Sequence, residues 1–325
     1  MWDTGTGPLS QEKIGGTRDL SLRPRCEVMD MFFNREEFQS KNENRGRLLV
    51  SCPDQPGIVM AISQFLYSFD ANIIESSQYS THHEEGTFYL RIEFDCPSLT
   101  EKKPEMESAF LEIAEKFSME WKLIDVQNVK RTAIFVSKQL HCLHELLWEW
   151  QSGDLMTDIS LVVSNHEDAR PVVENLGIPF IYIPANKDIR KQVEEQQLQI
   201  LKEYDIDLIV LARYMQVLTP DFVAEYPNQI INIHHSFLPA FVGARPYERA
   251  YTRGVKLIGA TSHYVTNDLD EGPIIEQDIA RVDHRDDVAR LKKIGQSVER
   301  SVLARGVKWH LEDRIIVDNN KTIVF

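Results

Sequence analysis

From residue 130 onward short apolar runs alternate with longer stretches of helical spacing, without an internal sequence repeat. That alternation limits the fold more than any other feature. Strands that alternate with helices build an open, mostly parallel sheet wrapped by helices. The expected strands are 132–137 (TAIFVS), 158–163, 180–183, 207–212 (DLIVLA), 229–233, 256–265 and 273–279. The expected helices are 140–151, 167–176, 188–204 and 286–311. The last has Val288, Leu291, Val298, Val302 and Trp309 near one stripe.

Residues 45–127 have a different order. A strand over 47–52 is followed by the turn 53–57, then by a helix with Ile58, Ile62, Phe65 and Leu66 on one face. Strands follow over 72–80 and 87–94, the second alternating Phe88, Leu90, Ile92 and Phe94. A helix over 107–117 and a strand over 120–126 close a βαββαβ, ferredoxin-like unit. Residues 1–44 carry Gly5, Gly7, Gly15 and Gly16 and no sustained apolar period, so they read as a mobile tail. The chain is thus expected to hold a small α/β domain (45–127) and a larger one (128–325).

The formal net charge of −14 speaks against nucleic acid or an anionic membrane as the main partner, since both need a basic face. No apolar run approaches the ~20 residues of a membrane span. Cys26, Cys52, Cys96 and Cys142 are scattered without CxxC spacing, as expected of reduced thiols. The N-terminus lacks the apolar core of a signal peptide and carries Asp3, Glu12, Asp19, Glu27 and Asp30, unlike a transit peptide. A cytoplasmic protein is expected.

The chemistry concentrates between Ile230 and Gln277. Asn232 and His234 stand two apart at the carboxyl end of an expected strand, so both point to one face while Ile233 points to the core. His263 lies on the next strand, and Asp270 sits in a turn tightened by Gly272-Pro273. An amide and an imidazole can hold an oxyanion, and a carboxylate can move protons. The same residues also fit the polar ends of a buried strand and a turn cap. A metal site from His234, His235, His263 and Asp270 is disfavoured: neighbouring strand histidines face opposite ways, and no HxH or HExxH occurs.

Asn232-x-His234, Ser236-Phe237-Leu238-Pro239 and Leu269-Asp270-Glu271-Gly272-Pro273 together resemble the formyltransferase-type folate domains. The resemblance covers 130–325 and implies a Rossmann-like fold with Asn232, His234 and Asp270 as the catalytic trio. It also implies that Met215, Gln216, Leu218, Val223 and His263 contact the folate, along with backbone from 265–270. Asp54-Gln55-Pro56-Gly57-Ile58 and Asn72-Ile73 resemble the ACT domains, which implies a regulatory unit, a possible amino-acid effector and homo-oligomers.

Relatives that formylate a nucleotide cradle its phosphate on a glycine-rich loop after the first strand. Here that loop is Ser137–His144 and has no glycine. The resemblance therefore points to the hydrolytic branch: water attacks the formyl carbon of 10-formyltetrahydrofolate, releasing tetrahydrofolate and formate for one-carbon and purine metabolism. No metal or other cofactor is implied. The alternatives are formyl transfer to a small amine, or a catalytically silent ACT-type sensor. His141, Cys142 and His144 are expected to wall the pocket where the phosphate loop would lie. Arg245 and Arg249 are candidates for the folate tail by charge alone.

Overall fold

The computed structural model describes residues 33–82, 85–184, 189–239 and 246–325. The first described element is helix α1 (Arg35–Lys41), whose N-terminal amides on Glu36 and Glu37 donate to the Asn34 side chain. Phe33 packs against the larger core. The expectation of a mobile tail through residue 44 is corrected here: its last dozen residues are capped and anchored. Most of the tail, residues 1–32, lies outside the described residues.

The first unit runs β1 (Arg45–Pro53), α2 (Ile58–Ser68), β2 (Asn72–Ser80), β3 (Thr87–Asp95), α3 (Leu99–Phe117) and β4 (Glu120–Asp125). Its sheet has the order β2-β3-β1-β4 with antiparallel pairing throughout. The alternation in β1 and β3 sends Leu48, Val50, Leu90, Ile92 and Phe94 toward α2 and α3, where they form one core with Ile62, Phe65 and Phe110. Each such side chain, fully buried, contributes roughly 1.5–3 kcal/mol. Helix α3 starts eight residues before the expected 107 and contains Pro104.

The second unit continues with β5 (Arg131–Val136), α4 (His141–Gln151), β6 (Asp158–Ser164), α5 (Arg170–Asn175), β7 (Phe180–Tyr182), α6 (Arg190–Glu203) and β8 (Leu208–Ala212). It ends with α7 (Pro220–Glu225), β9 (Ile230–His234), α8 (Pro246–Arg253), β10 (Leu257–Tyr264), β11 (Ile274–Arg281), α9 (Val288–Leu311), β12 (Ile315–Asp318) and β13 (Lys321–Val324). Seven strands form one sheet, β11-β10-β9-β8-β5-β6-β7. Strands β5 to β9 pair in parallel; β10 and β11 are antiparallel. Strand β8 (LIVLA) and residues 133–136 of β5 are apolar throughout because both faces are covered. Ile134 and Val136 pack under α4 and α9, whereas Ala133 and Phe135 pack under α6 and α7.

The units meet through charge. Arg47 and Arg91, on the face of the first sheet away from its helices, hold the segment after α9. Arg47 donates to the Asp313 carboxylate at 3.0 Å and Arg91 to its carbonyl at 3.1 Å. Lys130 donates to the same carboxylate at 2.5 Å. Two cationic donors on one buried carboxylate offset the cost of removing it from water.

Candidate active site

Strand β9 presents Asn232 and His234 on one face, while Ile231 and Ile233 enter the core on the other. Strand β10, antiparallel beside it, sets His263 directly opposite Asn232. The Asn232 amide donates to His263 Nε2 over 3.2 Å, and His263 Nδ1 donates to the Tyr264 carbonyl over 2.9 Å. These bonds select the imidazole with its proton on Nδ1. Burial lowers the pKa of His263, which keeps it neutral. One Asn232 amide hydrogen is left for a ligand.

Asp270 arrives from the turn after β10. Its φ of +58° lies in the left-handed region, which a short polar side chain tolerates. Two residues on, a Cβ on Gly272 would lie 1.9 Å from the Tyr264 carbonyl oxygen, so only glycine fits against β10. The turn sets Asp270 Oδ2 3.1 Å from His234 Nδ1 and Oδ1 3.8 Å from His263 Nε2. Burial pushes the Asp270 carboxyl up, but the hydrogen bond and charge of His234 outweigh it, leaving it below its usual range. His234 is buried, and its Nε2 has no hydrogen-bond partner among the described residues. An unpaired buried polar atom costs about 1–3 kcal/mol, a cost an incoming oxygen would remove.

These groups line a cleft of about 290 Å³. Met215, Gln216, Leu218, Asn232, His234, His263 and the loop 265–270 all border it. Val223 does not: it is buried with Phe222 and Tyr226 under the sheet. Its expected folate contact is corrected, because α7 turns that position inward. Arg249 lies on α8, outside the cleft lining. Arg245 lies outside the described residues. A larger cavity of about 780 Å³ sits between α1 and the first sheet, but its Arg47 and Arg91 are already paired with Glu93.

The expected wall of His141, Cys142 and His144 is also corrected, since none of the three borders the cleft. Cys142 is buried in the core and His144 is exposed. His141 Nε2 lies 2.9 Å from Glu299 Oε2 on α9. Glu299 also accepts from Tyr247 at 2.6 Å and lies 3.4 Å from Arg213 Nε. Burial pushes Glu299 up, but His141 and Arg213 pull it down further, so it stays ionised. Arg213 and His235 do border the cleft. Burial, followed by the Arg213 charge, lowers His235 to about 4 and keeps it neutral.

Sequence reasoning weighed His235 only as a metal ligand and passed over Tyr247 and Glu299. A signal existed: Glu299 falls on the buried stripe Leu291, Gly295, Val302, Gly306, where an acid is out of place. His141, Cys142 and Glu299 are the one trio among the described residues whose potential ligand atoms all lie within 4.8 Å of one another. The adjacent Arg213 cation competes with any ion there, and burial raises the Cys142 thiol, keeping it protonated.

Residues 130–307 match the model of the formyl transferase family. The formyltetrahydrofolate deformylase of Bacillus subtilis (strain 168) is 68% identical over 290 residues, covering 89% of this chain and 97% of that protein. The Escherichia coli (strain K12) deformylase is 40% identical, covering 85% and 97%. The crystal structure of a formyltetrahydrofolate deformylase from Pseudomonas syringae pv. tomato superposes with a TM-score of 0.82 at 46% identity, covering 86% of this chain and 94% of that one. A glycinamide ribonucleotide transformylase from Symbiobacterium toebii reaches 0.56 at 27%, over 61% of this chain and 94% of its own. Fold and site thus define a folate-type formyl transferase domain. Within that class, the chain belongs to the formyltetrahydrofolate deformylase family.

Proposed function

We propose that the chain hydrolyses 10-formyltetrahydrofolate to tetrahydrofolate and formate. The observation that carries this is the His234–Asp270 pair beside Asn232 in a cleft: an oxyanion site and a proton carrier at one reacting position. Water attacks the formyl carbon. The tetrahedral oxygen accepts from the remaining Asn232 amide hydrogen and from Nε2 of protonated His234. Asp270 stabilises the imidazolium and helps move the proton from water to the leaving nitrogen. His263 orients Asn232 through the bond between them. Met215, Gln216, Leu218 and the loop 265–270 are assigned to the folate.

Asn232→Ala tests the assignment. Loss of one oxyanion donor is expected to lower kcat by roughly 10²–10³ with the fold intact. Near-normal turnover in a folded variant contradicts the role of Asn232.

The βαββαβ unit is assigned as an ACT-type regulatory domain binding a small amino acid. Its topology and the turn with Gly57 at a φ of +96° support this. Strand β2 lies at the sheet edge with Ile73, Ile74 and Tyr79 exposed, which supports pairing with a second copy into a homo-oligomer. No helix among the described residues is long and apolar enough to cross a membrane. A cytoplasmic place and supply of formate to purine synthesis complete the reading.

A further inference from the structure

In an open α/β sheet, ligands enter the crevice outside the carboxyl ends of the strands where the strand order reverses. Here the reversal lies between β5 and β8, which are neighbours in the sheet although α4, β6, α5, β7 and α6 separate them along the chain. That crevice should be the natural seat for a second substrate beside the folate cleft. It is filled instead. Arg213, just past β8, is 7% exposed and reaches across the reversal to Gln139 Oε1 at 3.2 Å. Glu299 on α9 holds it from behind, at 3.4 Å, and also binds His141 at the start of α4 and Tyr247 on α8. Three elements thus converge on one buried carboxylate whose neighbour, Arg213, forms part of the cleft wall.

We infer that the Arg213–Glu299 pair, braced by His141 and Tyr247, is a built-in plug that denies an amine acceptor access to the formyl carbon and leaves water as the nucleophile. The inference rests on the hydrolase reading and adds what sets the acceptor. In hydrolysis a water oxygen bonds to the formyl carbon, the C–N10 bond breaks, N10 gains a proton and formate leaves. In transfer the amine nitrogen bonds to the same carbon, loses a proton, and N10 again gains one; the product is an N-formyl amine. Both routes need the same oxyanion site. They differ in whether a nucleophile larger than water can reach it. Arg213 and Glu299 are positioning residues in this scheme, and the readout that isolates them is product partition, which a purely structural role would not move.

The experiment supplies the full-length protein with 10-formyltetrahydrofolate and glycinamide, and measures formate and N-formylglycinamide. Wild type is expected to give formate at every glycinamide concentration. If it gives none even without glycinamide, the hydrolase reading fails first. The double variant Arg213→Ala, Glu299→Gln empties the crevice without leaving a buried carboxylate unpaired. Its N-formylglycinamide share is expected to rise on the order of 10–200-fold, the discrimination one filled or emptied space gives. Arg213→Met refills the space without charge and is expected to restore formate. His141→Ala trims the same filling at a partly exposed position and is expected to shift partition the same way, so the test survives a double variant that fails to fold. Formate alone from both crevice variants overturns the inference. So does loss of all turnover in a folded double variant, which would place these groups in hydrolysis itself.

Discussion

Asp270 shows how much of the chemistry depends on one backbone choice. Its left-handed φ aims the carboxylate at His234, and aspartate and asparagine are the side chains that accept that region most readily after glycine. Asp270→Asn therefore keeps the turn and removes only the charge facing the imidazole. Its kcat is expected to fall roughly 10²–10⁴-fold, the range of a lost acid–base partner, with thermal unfolding nearly unchanged. Steady-state rates and a melting curve on one preparation decide it. Activity within tenfold of wild type would show that His234 works without the pair. The neutral, Nδ1-protonated state of His263 follows from two hydrogen bonds. It makes this residue an orienter of Asn232 rather than a second acid.

At the scale of elements, the turn 269–273 is as necessary as the strands. A Cβ at Gly272 meets backbone, and backbone cannot rotate away as a side chain can. Gly272→Ala is expected to destabilise by about 1–3 kcal/mol and to lower kcat at least as much as Asn232→Ala, because the turn must shift and take Asp270 with it. Denaturant melts and rates check both halves; unchanged kcat would separate the turn from catalysis. Most elements were legible because burial writes periodicity into sequence. The two-residue spacing of Asn232 and His234 gave their shared face, and the apolar runs gave the parallel strands. Helix α3 reaches eight residues further upstream than the apolar spacing of 107–117 indicates, and Pro104 lies inside it. Val223 was assigned to the folate by family resemblance alone, which does not fix which way the six-residue helix α7 turns that side chain. Helix α8 and the β12–β13 hairpin were missed, being too short for a clear period. Glu299 was passed over because its partners Arg213, His141 and Tyr247 are distant in sequence, and only folding joins them.

Across the whole molecule, the two units and the site are joined by buried polar groups that respond to pH. Tyr264, the residue after His263, contacts His310 Nδ1 at 2.8 Å, and Lys130 donates to the His310 carbonyl at 2.9 Å. Burial, followed by the Lys130 charge, holds His310 at about 3, against 6.5 in an ordinary setting. Between those values the unfolded chain binds a proton that the folded one refuses, so stability is full above pH 6.5 and falls as pH drops toward 3. The slope from this residue is about 1.4 kcal/mol per pH unit within the window. His310→Gln is expected to be flatter than wild type over the same range, in denaturant melts taken at several pH values. Equal slopes would remove His310 as the source.

The measurement that tests the central claim most directly is hydrolysis of 10-formyltetrahydrofolate in ¹⁸O-labelled water, with EDTA present and no amine. Direct attack of water at the formyl carbon predicts formate and tetrahydrofolate in equal amounts, with one labelled oxygen in each formate. Turnover only on adding an amine, or only on restoring a metal, would contradict the account.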